Sequence, residues 1–387
     1  MLGIIMLVAI VAVLGSITYY LARRSFQWIR VLVPKVPFWV YIVVFAVLTV
    51  VLVLGFARSM LPVPTGVKHV FAAVSSYYMG IFIYLFVFYV LADVVVLICR
   101  LCKCMTENME KLRFVSGIAV LVLTVITVGY GLVHARSLKV VKYKIAVQEK
   151  EMKRDWNVVM ISDLHLGAVG SEGRLGEIVN RINGLEPDLV CIAGDLFDSD
   201  YRAIKDPETA IATLQRLDTK YGVYACLGNH DSGDTAPQMQ QFLERAGIQV
   251  LNDTYVTIGD ELVLVGRLDS SPIGGYEGMR RKNVTEVLTG IDTSLPVLVM
   301  DHNPANIGEY GKGVDLIVSG HTHKGQIFPG GVFTEILFEV DHGYYRRNAA
   351  SPHVIVSSGV GTWGMPMRVG TDSEIVQILL RAEGLGR

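Results

Sequence analysis

Five short polar motifs hold most of the side chains in this sequence that could do chemistry. They are Ser162-Asp163-Leu164-His165, Gly194-Asp195-Leu196-Phe197-Asp198, Gly228-Asn229-His230-Asp231, Asp301-His302-Asn303-Pro304 and Gly320-His321-Thr322-His323. Each alone is ordinary turn chemistry, because Asn, Asp and Gly favour tight turns. Together they say more: five of the 9 histidines fall in these motifs, and each motif follows an apolar run. Imidazole nitrogens with carboxylate and amide oxygens suit borderline or hard divalent ions such as Zn, Mn or Fe, not soft thiolate-bound metals. Two such ions about 3.5 to 4 Å apart form a clamp for in-line displacement at phosphorus, and a carboxylate such as Asp195 can bridge them. The i, i+2 pairs Asp163/His165 and His321/His323 are expected to aim both side chains one way, since strand side chains repeat every second residue.

The elements that must position these residues are short β-rich runs alternating with amphipathic stretches, the pattern of an α/β domain. Strands are predicted over 156–161, 189–193, 223–227, 261–265, 297–300, 316–318 and 354–356, with helices over 174–184 and 207–217. In open α/β sheets ligands bind beyond the carboxyl ends of the strands, so the five motifs are expected on one edge.

In their order, D-x-H, G-D, G-N-H, a separate H and G-H-x-H, these motifs resemble the calcineurin-like metallophosphoesterase superfamily. The text around Gly320-His-Thr-His-Lys-Gly-Gln326 and Ser358-Gly-Val-Gly361, with Arg368 and Glu374, is most similar to its membrane-associated YkuE/YaeI-like subgroup. The resemblance covers residue 155 to the C-terminus and implies a four-layer αββα sandwich. It implies two divalent ions of unspecified identity (Mn, Zn or Fe), one held by Asp163, His165, Asp195 and His323, the other by Asp195, Asn229, His302 and His321. It also implies hydrolysis of phosphate mono- or diesters by a metal-activated hydroxide, with His230 on the substrate phosphate rather than on a metal. Asp231 is expected to orient that imidazole. Lys324 stands where the subgroup usually has Gly, and Lys324 and Arg368 are candidate substrate contacts.

The first third of the chain is different. Apolar runs at about 1–21, 38–57, 70–98 and 114–133 are each long enough to cross a hydrocarbon core of roughly 30 Å, which predicts a bundle of four transmembrane helices over 1–134. A linker over 135–154 and the phosphoesterase domain over 155–387 are expected to follow. Mean hydropathy is +0.43. The formal net charge of -1 hides about +7 in residues 1–134 and -8 in the rest, from 10 Lys/Arg against 3 Asp/Glu and 25 against 33. An acidic second part excludes a general nucleic-acid binder, which needs a basic face. Arg23, Arg24, Arg30 and Lys35 in the first loop and Arg100, Lys103, Lys111 and Arg113 in the third outnumber Arg58 and Lys68 in the second, so the catalytic domain is expected outside the cytoplasm. The 5 cysteines, with Cys99, Cys102 and Cys104 beside basic residues, are expected to be reduced.

The expected function is therefore a membrane-anchored dimetal phosphoesterase, with a phosphoester substrate that is lipid-linked or part of the envelope, and with the bilayer as its other partner. The alternative is a non-catalytic metal-binding scaffold or sensor module on the same anchor. Asp93, the one charge inside an apolar run, is expected at the membrane interface rather than in a functional site.

Overall fold

The structure is a computed structural model that describes residues 2–58, 61–103, 109–148 and 150–382; Cys104 lies outside these. The chain divides into two compact units, Met1–Leu132 and Val133–Arg387.

The first unit holds four helices, α1 (Leu2–Ile29), α2 (Phe38–Phe56), α3 (Thr65–Leu101) and α4 (Met109–His134). Among the described residues three of them, α2, α3 and α4, are long and apolar enough to cross a membrane. Four were expected; α1 is helical from Leu2 to Ile29, with Arg23 and Arg24 towards its end. Asp93 on α3 is neutralised within the bundle: Arg24 approaches it to 2.6 Å and the Tyr20 hydroxyl donates to it at 2.7 Å. Trp28 Nε1 donates to the Tyr89 hydroxyl at 2.8 Å nearby. A polar cluster of this kind holds helices together where lipid supplies no hydrophobic drive.

The second unit has two six-stranded sheets. In chain order its elements are β1 (Leu138–Val147), β2 (Trp156–Ile161), α5 (Leu175–Asn183), β3 (Leu189–Ala193), α6 (Pro207–Leu214), β4 (Val223–Cys226), α7 (Ala236–Arg245), β5 (Ile248–Val250), β6 (Thr254–Ile258), β7 (Leu262–Gly266), α8 (Val284–Val287), β8 (Val297–Met300), β9 (Leu316–Ser319), α9 (Gly330–Leu337), β10 (Gly343–Tyr345), β11 (His353–Val356) and β12 (Ser373–Ala382). One sheet has the order β1-β12-β2-β3-β4-β5, the other β10-β11-β9-β8-β7-β6. Strands β2 to β5 run parallel, as do β7, β8, β9 and β11.

Period-two burial explains the layering. Trp156, Val158 and Met160 of β2 meet Leu262, Leu264, Leu298 and Met300 in the core between the sheets. The alternate residues Val159 and Ile161 face α5, α6 and α7 through Ile178, Ile211 and Phe242. On the far side Val263, Val265, Val297 and Val299 are covered by Val287, Ile307 and Tyr310. That outer layer is thin, built from α8 of 4 residues and a 3-10 segment at Pro304–Glu309. The two-sheet α/β fold thus has a substantial helical layer on one side only.

The segment expected as a linker contains a ten-residue strand: β1 pairs in parallel with β12, from Leu138 opposite Ser373 to Val147 opposite Ala382. Its Ile145 and Val147 enter the core between the sheets. Cys99, Cys102, Cys191 and Cys226 are free thiols, the last two buried.

Candidate metal centre

The five motifs leave the carboxyl ends of β2, β3 and β4 in one sheet and β8 and β9 in the other, and their side chains converge on a cleft of about 350 Å³. Asp163, His165 and His323 bring ligand atoms within 4.8 Å of one another, and so do Asp195, His302 and His321. His165 Nε2 lies 3.1 Å from His323 Nε2, and His323 Nε2 lies 3.3 Å from Asp163 Oδ1. In the second cluster His302 Nε2 lies 3.2 Å from Asp195 Oδ2, and His321 Nδ1 lies 2.8 Å from Asn229 Oδ1. Asp195 stands between the clusters, with His165 Nε2 at 3.8 Å from its Oδ2.

The backbone, not strand alternation, aims these side chains. Asp163, His165, Asp195, His321 and His323 have φ of 54, 49, 54, 73 and 48°, a left-handed region that non-glycine residues enter uncommonly. The expected extended i, i+2 geometry is therefore absent at both pairs. The first two motifs lock each other instead: the Asp163, His165 and Leu166 amides donate to the carbonyls of Gly194, Asp195 and Leu196 at 3.0, 3.0 and 2.7 Å. Strained backbone of this kind persists where the surroundings over-determine it, as they do at functional sites. The motif glycines allow the close approach. A Cβ on Gly228 would sit 2.2 Å from Asp195 Oδ1, and one on Gly320 would sit 2.3 Å from Asp163 Oδ2.

Hydrogen bonds fix which ring nitrogens face inward. His302 Nδ1 pairs with the Ala193 carbonyl at 2.8 Å. Its Nε2 is buried and faces Asp195 Oδ2 at 3.2 Å, with no other hydrogen-bond partner among the described residues. A neutral imidazole whose Nδ1–H binds a carbonyl presents Nε2 as a lone-pair donor, the usual support of a metal-ligating histidine. Burial lowers His165 and His321 to about 4 and His323 well below its ordinary value. Burial raises Asp163 to about 6. For Asp195 burial acts upward, but His302 beside it prevails and holds the carboxyl low; for His302 burial acts downward and Asp195 prevails upward. The pair holds a proton where a cation would displace it. Inward-facing imidazole nitrogens and carboxylates, with one shared proton that a cation would displace, fit divalent ions.

The calcineurin-like phosphoesterase family model matches residues 157–325. An uncharacterized metallophosphoesterase of Aquifex aeolicus is 34% identical over 259 residues, 66% of this chain and 97% of that protein. This chain belongs to the calcineurin-like metallophosphoesterases. A Danio rerio transmembrane protein with metallophosphoesterase domain is 31% identical over 291 residues, 71% of this chain and 65% of that protein. The uncharacterized metallophosphoesterase YkuE of Bacillus subtilis is 27% identical over 296 residues, 71% of this chain and 99% of that protein.

In this metallophosphoesterase three expected roles need correction. Asp231 does not orient His230: its buried carboxylate accepts from the Phe197 and Gly228 amides, both at 2.9 Å, tying the second motif to the third. Burial, reinforced by Asp195, raises it to about 7. His230 pairs instead with Ser199, whose Oγ lies 2.5 Å from Nδ1, while the His230 amide donates to Asp195 Oδ1 at 2.8 Å. Arg368 is fully buried, and its guanidinium donates to the carbonyls of Ser358, Gly359 and Gly361 at 2.6, 3.2 and 2.7 Å, so it braces a loop rather than meeting substrate. Lys324 is half-buried in left-handed backbone and does not line the cleft.

Two further residues border the cleft, Trp363 and, just past the fifth motif, Gln326. Trp363 has its ring 5.9 Å from His230. Gln326 holds it in place, its side-chain oxygen accepting from the Trp363 amide at 2.7 Å and its Nε2 donating to the Trp363 carbonyl at 2.9 Å. Ser199, four residues after Asp195, was the most legible of the missed residues, because a hydroxyl close behind a metal motif is a natural partner for imidazole.

Proposed function

We propose that this protein is a dimetal phosphoesterase that hydrolyses phosphate mono- or diesters. The observation that carries the reading is the convergence of seven ligand-type side chains from five separate loops on one cleft with His230 at its wall. Asp163, His165, Asp195 and His323 would hold one ion and Asp195, Asn229, His302 and His321 the other, with Mn, Zn or Fe as candidates. Bound ions would supply an activated water and neutralise phosphate charge. Ser199 at Nδ1 leaves Nε2 of His230 for a substrate oxygen, where the imidazole stabilises developing charge or protonates the leaving group. Asp195 meanwhile is held by the His230 amide, so the general acid and the shared ligand move as one piece.

The substrate class we propose is a phosphoester linked to lipid or envelope material, because the catalytic unit follows membrane-type helices in the same chain. With α2, α3 and α4 as spans, the cation-rich segments before α2 and between α3 and α4 stay in the cytoplasm, which puts the catalytic unit outside it whether or not α1 forms a fourth span. Metal-stripped full-length protein, given Mn, Zn or Fe in turn, should hydrolyse p-nitrophenyl phosphate or bis(p-nitrophenyl) phosphate. Stoichiometric metal uptake without turnover on either ester or on a lipid phosphoester would leave the scaffold reading instead.

A further inference from the structure

A cluster of large apolar side chains stands in solvent beside the metal cleft. None of the residues of α9 is buried; Val332, Phe333, Ile336 and Leu337 are 48, 62, 76 and 75% exposed, and Phe328 just ahead is 58% exposed. Positions 332, 333, 336 and 337 share one face of a helix, so the side chains form a stripe. Elsewhere in this unit past α4 the exposed large hydrophobics are Tyr255, Ile273, Met279, Tyr344 and Trp363, each 38 to 48% exposed. Contiguous apolar patches on a soluble surface mark interaction sites.

The stripe is fixed to the catalytic loop. The backbones of Gly325 and Gly330 pack so closely that a Cβ on Gly325 would lie 2.1 Å from the Gly330 carbonyl carbon. Thr322 Oγ donates to the Asp341 carbonyl at 2.5 Å, and Thr334 of α9 donates to the Asp341 carboxylate at 2.8 Å. The Phe338 ring, next after α9, lies 5.9 Å from the His321 ring. Whatever covers the stripe therefore sits at the mouth of the cleft. A protein seated there would stand in the way of substrate, whereas a surface that itself carries substrate would deliver it.

One apolar surface is already tied to this unit by the chain: only Ala135, Arg136 and Ser137 separate α4, long and apolar enough to span, from β1. Gly330, Gly331, Thr334 and Glu335 lie away from the stripe, so α9 offers one apolar face, and such a face can be buried by lying in a membrane interface. We infer that α9 and Phe328 form an interfacial anchor that enters the headgroup–acyl boundary of the bilayer and sets the metal cleft over lipid-borne phosphoesters. The identity of the substrate rests on the phosphoesterase reading; the docking itself does not.

Two measurements on the full chain in phosphatidylcholine vesicles separate these. In the first, a nitroxide is placed by Ile336→Cys or, as a control, Thr285→Cys, with Cys99, Cys102 and Cys104 changed to Ser. Collision with oxygen, relative to a water-soluble nickel chelate, should be about ten-fold higher at 336 than at 285, the ratio that corresponds to about 1.4 kcal/mol. Equal ratios at the two positions, or a nitroxide at 336 shielded from both reagents as under a protein partner, would overturn the anchor. In the second, Phe333→Asp with Ile336→Asp should lower hydrolysis of phosphatidic acid in the vesicles at least ten-fold and leave that of bis(p-nitrophenyl) phosphate within two-fold, each factor of ten again about 1.4 kcal/mol. An equal fall on both substrates would overturn the anchor as a substrate-delivery device. If the unsubstituted chain hydrolyses neither ester, the phosphoesterase reading fails and the nitroxide comparison still decides the docking.

Discussion

His230 and Ser199 are the residues at which chemistry and support can be told apart. His230→Ala keeps every proposed ligand side chain, so metal content by elemental analysis should stay within error while kcat falls by about 10²- to 10⁴-fold, the usual worth of a general acid. Ser199→Ala should fall less, because it removes only the contact at Nδ1. Loss of metal in either variant would reassign His230 as a ligand. Asp195→Asn is the converse case: a residue between two clusters should lose metal and turnover together. Arg368 discriminates in another way. Arg368→Met orphans buried carbonyls at roughly 1–3 kcal/mol each, so thermal melting should drop by several degrees or more with KM for a small diester unchanged. A raised KM at unchanged stability would restore it as a substrate contact.

At the scale of elements, β1 decides where the catalytic unit begins. Ile145 and Val147 are 3 and 2% exposed and belong to the core between the sheets, and the strand covers one edge of β12 along its whole length. Ile145→Ala should cost about 2–5 kcal/mol, as for large-to-small changes in a packed core. A fragment starting at residue 150 should aggregate, since it exposes both that core and an unpaired edge, whereas one starting at residue 133 should be soluble and cooperative in thermal unfolding. Equal solubility of the two would show that β1 is an ornament of the sheet. The segment expected as a linker carries the strand's signal in Leu138-Lys-Val-Val-Lys-Tyr-Lys-Ile-Ala-Val147, where lysines recur among β-branched and aromatic residues. Its partner was not legible there, because β12 lies over two hundred residues away and only the fold brings the two together.

For the whole molecule, the distribution of cations makes a prediction about sidedness. Single cysteines between residues 30 and 37 should resist impermeant thiol reagents in intact cells, while a cysteine on exposed Thr285 should react. The reverse pattern would overturn the orientation and leave the metal chemistry untouched.

The sequence by itself determined the candidate ligand inventory and most of the strands that carry it, because ligand-type side chains at strand ends and β-rich apolar runs are local signals. It also determined that the first third is of membrane type, since length and hydropathy are properties of a segment. The tertiary structure decided what depends on neighbours distant in the chain. Asp231 and Arg368 looked like site residues by position, yet their polar atoms are spent on amides and carbonyls of other loops, and buried polar groups must be satisfied wherever their partners lie. Ser199 reaches His230, Gln326 holds Trp363, and five candidate ligands adopt left-handed backbone, all for the same reason. Local sequence limits what a residue can do, while packing fixes which single partner it meets.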